Sequence, residues 1–337
     1  MTIKDIARVC GVSVSTVSRV LNNRPDVSGE VRRRVMSVVE REGYIPNNSA
    51  RDLVRSQSDA IGVVVRGTGN LFFSSMLKVI TRQIDREGFT VVLRHLEAGA
   101  DEVKEGAILE REKKLRGIIF LGGRFDYTPA ELSLVGVPYV CCSYTNTFGT
   151  LREEDYASVA IDDYRTAYRA VSTLLDLGHR RIAALVSDCE DHSISQLRYK
   201  GYLDALADRG IAFDPALLAE SGAAFRMSEA YQATIALLDR GADFTAMFTL
   251  SDTMAMAAMK ALADRGRHVP DDCSVIAIDG LETSQYTIPT LTTMVQPAEE
   301  MARVSVDLLM EMIRDGAKPR HVILDAPMRQ GASIRPL

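Results

Sequence analysis

Between residues 13 and 19 the chain reads Ser13, Val14, Ser15, Thr16, Val17, Ser18, Arg19, a cluster of short hydroxyls closed by a guanidinium. Two kinds of chemistry suit such a set. Short hydroxyls cap helices by accepting backbone N–H groups. The same residues at the start of a helix can also read a DNA duplex: Arg19 can fork onto a guanine edge, Ser15 and Thr16 can reach bases or phosphates, and Val14 can lie against a thymine methyl. No catalytic constellation competes with this one. Ser75 and Lys78 form an S-x-x-K, but no S-D-N or K-T-G accompanies them. Gly67 and Gly69 lack the third glycine of a dinucleotide fingerprint. Neither a G-x-S-x-G nor a Walker A motif is present. Cys10, Cys141, Cys142, Cys189 and Cys273 show no C-x-x-C spacing, and His95, His179, His192, His268 and His321 are dispersed. The expectation is a non-enzyme with no cofactor, no metal site and no disulfide framework.

The elements that would hold the cluster are legible nearby. Thr2 followed by Asp5 opens a helix in the manner of a capping box, and Ile3, Ile6, Ala7 and Cys10 fall on one face of it. Gly11 permits the left-handed turn that stops this helix, and Ser13 caps a second one with Val17, Val20 and Leu21 as its apolar ridge. Ala7, Gly11 and Val17 keep the spacing of a helix-turn-helix: a small residue for close approach, a turn glycine and an apolar lock. Ser28 caps a third helix with the stripe Val31, Val35, Val38 and Val39, ending near Gly43. Arg32, Arg33 and Arg34 fit phosphate contacts and a solvated face equally well. Beyond Pro46, "NSARDLV" is a helix too short to be stable alone.

Charge follows the same division. Residues 1–58 carry ten Lys/Arg and six Asp/Glu, whereas the whole chain of 337 residues has a net charge of −5. A basic head on an acidic body points to a polyanionic partner. No apolar run approaches the roughly 18 residues of a membrane helix. Lys4, Asp5 and Arg8 stand where a signal peptide is apolar, so a cytoplasmic location without membrane contact is expected.

From Ile61 the pattern alternates. "AIGVVV", "FTVVLRHL", "GIIFLGG", "GVPYVCCS", "RIAALVS", "FTAMFTL" and "CSVIAID" read as strands, with helices between them near 73–87, 101–114, 163–177, 195–209, 228–240 and 252–265. This alternation implies two doubly wound α/β sheets, with ligands bound at the carboxyl ends of their strands.

"TIKDIARVCGVSVSTVSRVLN" and "VEREGYIPNNSARDLV" resemble the DNA-binding head and hinge of the lactose-repressor/galactose-repressor (LacI/GalR) family. "NLFFSSML", "IDDYRTAYRAVSTLLDLGHRRIAAL", "FTLSDTMAMAAMKAL", "VPDDCSVIAIDGLE" and "PTLTTMVQP" resemble that family's regulatory core, a periplasmic-binding-protein-like fold. The resemblance implies a helix-turn-helix head over 1–45, a hinge over 46–58 and an effector-binding and dimerisation domain over 59–337. The lobes of that domain would be about 59–161 with 293–320 and 162–292 with 321–337. It implies a homodimeric repressor that binds a pseudo-palindromic operator and responds to a sugar or related small molecule. The implied DNA-contact set is Thr2, Ser13, Val14, Ser15, Thr16, Ser18, Arg19, Asn22, Asn48, Ala50 and Leu53, with Leu53 as the wedge between central base pairs. The implied effector set is Phe73, Ser143, Asp162, Arg198, Phe225, Ser251 and Asp279; for Ser143 and Ser251 a purely structural role fits as well. The chain departs from the family pattern in "CSYTN", in Gly280 after Asp279 and in having no Trp.

Overall fold

Thr2 opens helix α1 (Ile3–Cys10) with a complete capping box: its side chain accepts from Asp5 N while the Asp5 carboxylate accepts from Thr2 N. Gly11 ends the helix at φ +60°, where a side chain would be strained. Helices α2 (Val14–Leu21) and α3 (Gly29–Arg41) follow. Ile6, Ala7 and Cys10 of α1 pack against Val17 and Val20 of α2 and Val35 and Val38 of α3. The computed structural model describes residues 2–21, 24–42, 58–67, 69–188, 192–222 and 225–337. They fall in two units, Met1–Ser58 and Asp59–Leu337.

The second unit contains two six-stranded sheets. In chain order its elements are β1 (Ala60–Arg66), α4 (Leu71–Arg86), β2 (Thr90–Leu96), α5 (Glu102–Lys113), β3 (Gly117–Leu121), α6 (Pro129–Leu132), β4 (Tyr139–Cys142), β5 (Ala157–Ile161), α7 (Asp163–Asp176), β6 (Ile182–Val186), α8 (Ile194–Ala207), β7 (Leu218–Glu220), α9 (Met227–Asp239), β8 (Ala246–Thr249), α10 (Asp252–Asp264), β9 (Ser274–Asp279), β10 (Thr292–Val295), α11 (Ala298–Asp315), β11 (His321–Leu324) and β12 (Met328–Arg329). The first sheet is ordered β11-β5-β4-β3-β1-β2 and is parallel throughout. The second is ordered β12-β10-β9-β8-β6-β7, with only β12 antiparallel.

Both faces of each sheet are covered, so the central strands are apolar without alternation: Gly117–Leu121 and Ile182–Val186 are buried at every position. Each fully buried Val, Ile or Leu there stabilises by about 1.5–3 kcal/mol relative to exposure. Helices α4 and α11 lie on one face of the first sheet and α5 on the other. The 18-residue α11 and the strands β5, β7, β10, β11 and β12 go beyond the elements expected from the alternation.

The chain crosses between sheets three times, at Asp162, at Gln296–Pro297 and at Asp325–Pro327. The last two crossings correct the expected lobe limits of 292/293 and 320/321. Thr292–Val295 pairs with Ile276–Asp279 and so stays in the second sheet until Pro297 ends the strand. His321–Leu324 pairs with Ser158–Ile161 and so returns to the first sheet before the final crossing.

Candidate functional site

On the head, Val17 and Val20 are buried while Val14, Ser15 and Arg19 face outward. Ser13 Oγ accepts from Thr16 N at 3.1 Å, which confirms it as a cap, and its hydroxyl also lies 2.7 Å from Ser15 Oγ and 2.8 Å from Thr16 Oγ1. The hydroxyls thus satisfy one another. Arg19 pairs loosely with Asp26 at 3.4 Å across exposed surface, an interaction worth little and easily exchanged. Ser18 is half-buried on the same helix. Thr2 is committed to its capping box. Asn22, Asn48, Ala50 and Leu53 lie outside the described residues.

In the second unit, the carboxyl ends of the strands line two adjoining cavities. The outer has about 230 Å³ and is lined by residues that include Arg66, Gly122, Gly123, Asp188 and Ser193. The inner has only about 20 Å³ and is lined by residues that include Arg198, Ser251, Thr253, Asp279 and Gln296. Asn70, Phe73, Ser143, Ile194 and Phe225 line both. About 20 Å³ holds one water-sized group, so the inner niche suits a single hydroxyl of a ligand whose body fills the outer cavity.

Six of the seven expected effector residues therefore converge: Phe73 and Ser143 from the first lobe, and Arg198, Phe225, Ser251 and Asp279 from the second. Three of these have the backbone at positive φ: Ser143 at 57°, Phe225 at 53° and Asp279 at 134°. Strain of this kind in non-glycine residues gathers at ligand clamps.

Arg198 is buried at the floor of the niche. Its Nε donates to Asp163 Oδ1 at 2.8 Å, Nη1 donates to the Leu250 carbonyl, and Nη1 lies 3.7 Å from Asp279 Oδ1. Gln296 Nε2 donates to Asp279 Oδ1 at 2.8 Å, while Gln296 Oε1 is buried without a partner. Asp252 accepts from Leu281 N at 2.7 Å and from Thr293 Oγ1. Burial pushes the carboxyls of Asp163 and Asp252 above the usual range. It pushes Asp279 up to about 7, with Arg198 opposing and Asp252 adding to the rise. The niche is a dense set of fixed donors and acceptors.

Asp162 is the exception. Its carboxylate accepts from Arg165 N at 2.9 Å as the cap of α7, and it lines a separate groove with Thr145, Tyr164 and Lys200. The neighbouring Asp163 turns inward to Arg198 instead. The sequence reading also missed Asn70, Gln296 and Asp252; only Asp163 had a signal, the doubled acid of "IDDY". Gly280 has a structural cause: at φ +75°, a Cβ would stand 2.7 Å from Val295 Cγ1, leaving no room for an acidic or amide side chain.

Residues 2–47 match the model of the bacterial regulatory proteins of the lacI family, and residues 171–334 match a periplasmic binding protein-like domain. The chain is 38% identical to the HTH-type transcriptional regulator MalR of Clostridium butyricum over 97% of both chains. This chain belongs to the LacI family. The HTH-type transcriptional regulator GalR of Escherichia coli is 34% identical over 92% of this chain and 89% of its own. The lac repressor dimer bound to operator and the anti-inducer ONPF superposes with a TM-score of 0.80 at 26% identity over 99% of both chains. The complex of the regulator CelR with cellobiose gives 0.71 at 28% identity over 99% of both chains. The LacI-family chain described here is accordingly a DNA-binding transcriptional regulator and not an enzyme. No helix among its described residues is long and apolar enough to cross a membrane.

Proposed function

We propose that the chain is a sugar-responsive repressor that binds a pseudo-palindromic operator as a homodimer. The observation that carries the sugar reading is the niche: a buried arginine, a buried aspartate and a glutamine with an unused acceptor, opening onto a cavity with the side chains of Phe73 and Phe225 in its wall. Paired donors and acceptors beside apolar faces suit the hydroxyls and C–H faces of a sugar ring. The cellobiose complex of CelR supports the same reading.

On the head, Val14, Ser15 and Arg19 read base edges in the major groove, while Ser13 and Thr16 set the helix start. Asn48, Ala50 and Leu53 belong to the hinge, where Leu53 would wedge between base pairs at a cost offset by new contacts. The effector acts through different affinities for two lobe arrangements. In the test, a neutral sugar that raises the melting temperature of the full chain is added during operator binding. The reading expects the operator affinity to change severalfold. A protein stabilised by no sugar, or one whose operator affinity ignores the sugar it binds, refutes it.

A further inference from the structure

Arg66 lines the outer cavity from the end of β1, and its Nε donates no hydrogen bond to any described residue. Its single charged partner among them is Glu102, the first residue of α5, with Arg66 Nε 3.6 Å from Glu102 Oε2. At that distance neither atom is hydrogen-bonded, and both are buried. Glu102 is itself fixed: it is 1% exposed, and its Oε1 accepts from Arg124 N at 2.9 Å. An arginine carries five N–H donors in a rigid fork; the Nε of this one is buried without an acceptor, which carries a cost.

We propose that Arg66, positioned by the buried Glu102, is a specificity-determining residue that donates its fork to two neighbouring oxygens on the outer edge of a neutral sugar effector. This rests on the sugar reading of the cleft and deepens it. The niche of Arg198, Asp279 and Gln296 takes one hydroxyl from the second lobe, and Arg66 takes the opposite edge of the same ligand from the first lobe. A ligand held at both ends ties the two lobes together. Neutrality follows from the surroundings. Glu102 already meets the charge of Arg66. A phosphate would have to draw Arg66 away from Glu102 and leave that buried carboxylate without its cation. Glu102 touches no ligand in this scheme; it acts through Arg66.

The test is calorimetric titration of the full chain with glucose, maltose, cellobiose and glucose 6-phosphate, followed by the monodeoxy analogues of the sugar that binds. Wild type is compared with R66A, R66Q and R66K, each confirmed as folded by its melting transition. The expected result is a neutral sugar bound more tightly than the phosphate ester. R66A and R66Q should bind that sugar about tenfold to a hundredfold more weakly, since hydrogen bonds to a charged group are lost. R66K should recover little, because a point ammonium cannot replace the fork. Two monodeoxy analogues, each lacking one of the neighbouring hydroxyls, should lose less affinity on R66A than the parent sugar does, a coupling that a general structural defect cannot produce. The proposal is overturned if R66A binds the sugar within twofold of wild type, if R66A weakens every analogue by the same factor, or if the phosphate ester binds best. Those results leave the sugar reading standing, whereas a wild type that binds none of the probes removes the sugar reading and the role of Arg66 with it.

Discussion

Replacing Asp279 with Asn should stabilise the protein at pH 8 while abolishing its response to effector. The carboxyl of Asp279 is raised from the usual aspartate value of 3.8 to about 7, chiefly by burial. That gap corresponds to about 4 kcal/mol of cost for keeping the ionised form in the folded state. Because the folded-state value is raised, the native chain binds more protons than the unfolded chain between about pH 4 and 7. Wild-type stability therefore falls as pH rises through this window, and the cost is complete above pH 7. Asn has no charge to desolvate and can keep a hydrogen bond with Gln296. It also gives up the attraction of Arg198, 3.7 Å away, so about 4 kcal/mol is an upper limit for the gain. For a domain of this size each kcal/mol moves the melting temperature by about 2–4 °C, so D279N should melt several degrees above wild type at pH 8. The difference should shrink towards zero as the pH falls to 4. Calorimetric melting of both proteins across that range provides the check. If D279N is less stable than wild type by the same amount at pH 5 and pH 8, the assignment of a strained, buried carboxylate is wrong.

Other substitutions separate neighbouring roles. D162A should cost about 1 kcal/mol of stability through the lost cap of α7 and leave sugar affinity unchanged, whereas D163N should weaken sugar binding sharply by loosening Arg198; melting and titration of the two variants decide this. R19A should weaken specific operator binding by about 1–3 kcal/mol with no change in melting temperature, since its pairing with Asp26 is exposed; equal affinity of R19A and wild type for the operator would remove Arg19 from the reading set. G280A should destabilise by more than about 1 kcal/mol, because φ +75° and the contact with Val295 both oppose a side chain; a melting temperature equal to wild type would contradict the close approach.

The head was legible because its determinants are local. Ala7, Gly11 and Val17 fall within eleven consecutive residues, and the structure buries Ala7 and Val17 and turns the chain at Gly11 as their spacing predicts. The cleft was legible in its anchors and not in its wiring. Asp162 and Asp163 are adjacent acids at the start of one helix, and which of them turns inward depends on Arg198, 35 residues further on. Gln296 is an unremarked amide before a proline; it reaches Asp279 only because β10 pairs with β9 up to the crossing. Arg66 and Glu102 sit in different elements and meet only once β1 and α5 are packed. The lobe limits slipped by a few residues for the same reason, since short strands such as His321–Leu324 take their sheet from their partners and not from their own pattern.

The most direct test of the account is a selection of genomic fragments by the full-length protein, with and without a sugar that it binds. The account predicts enrichment of one pseudo-palindromic sequence whose affinity changes about fivefold or more when the sugar is added, as expected for coupled sites. Fragments recovered no better than random duplex in both conditions would contradict it.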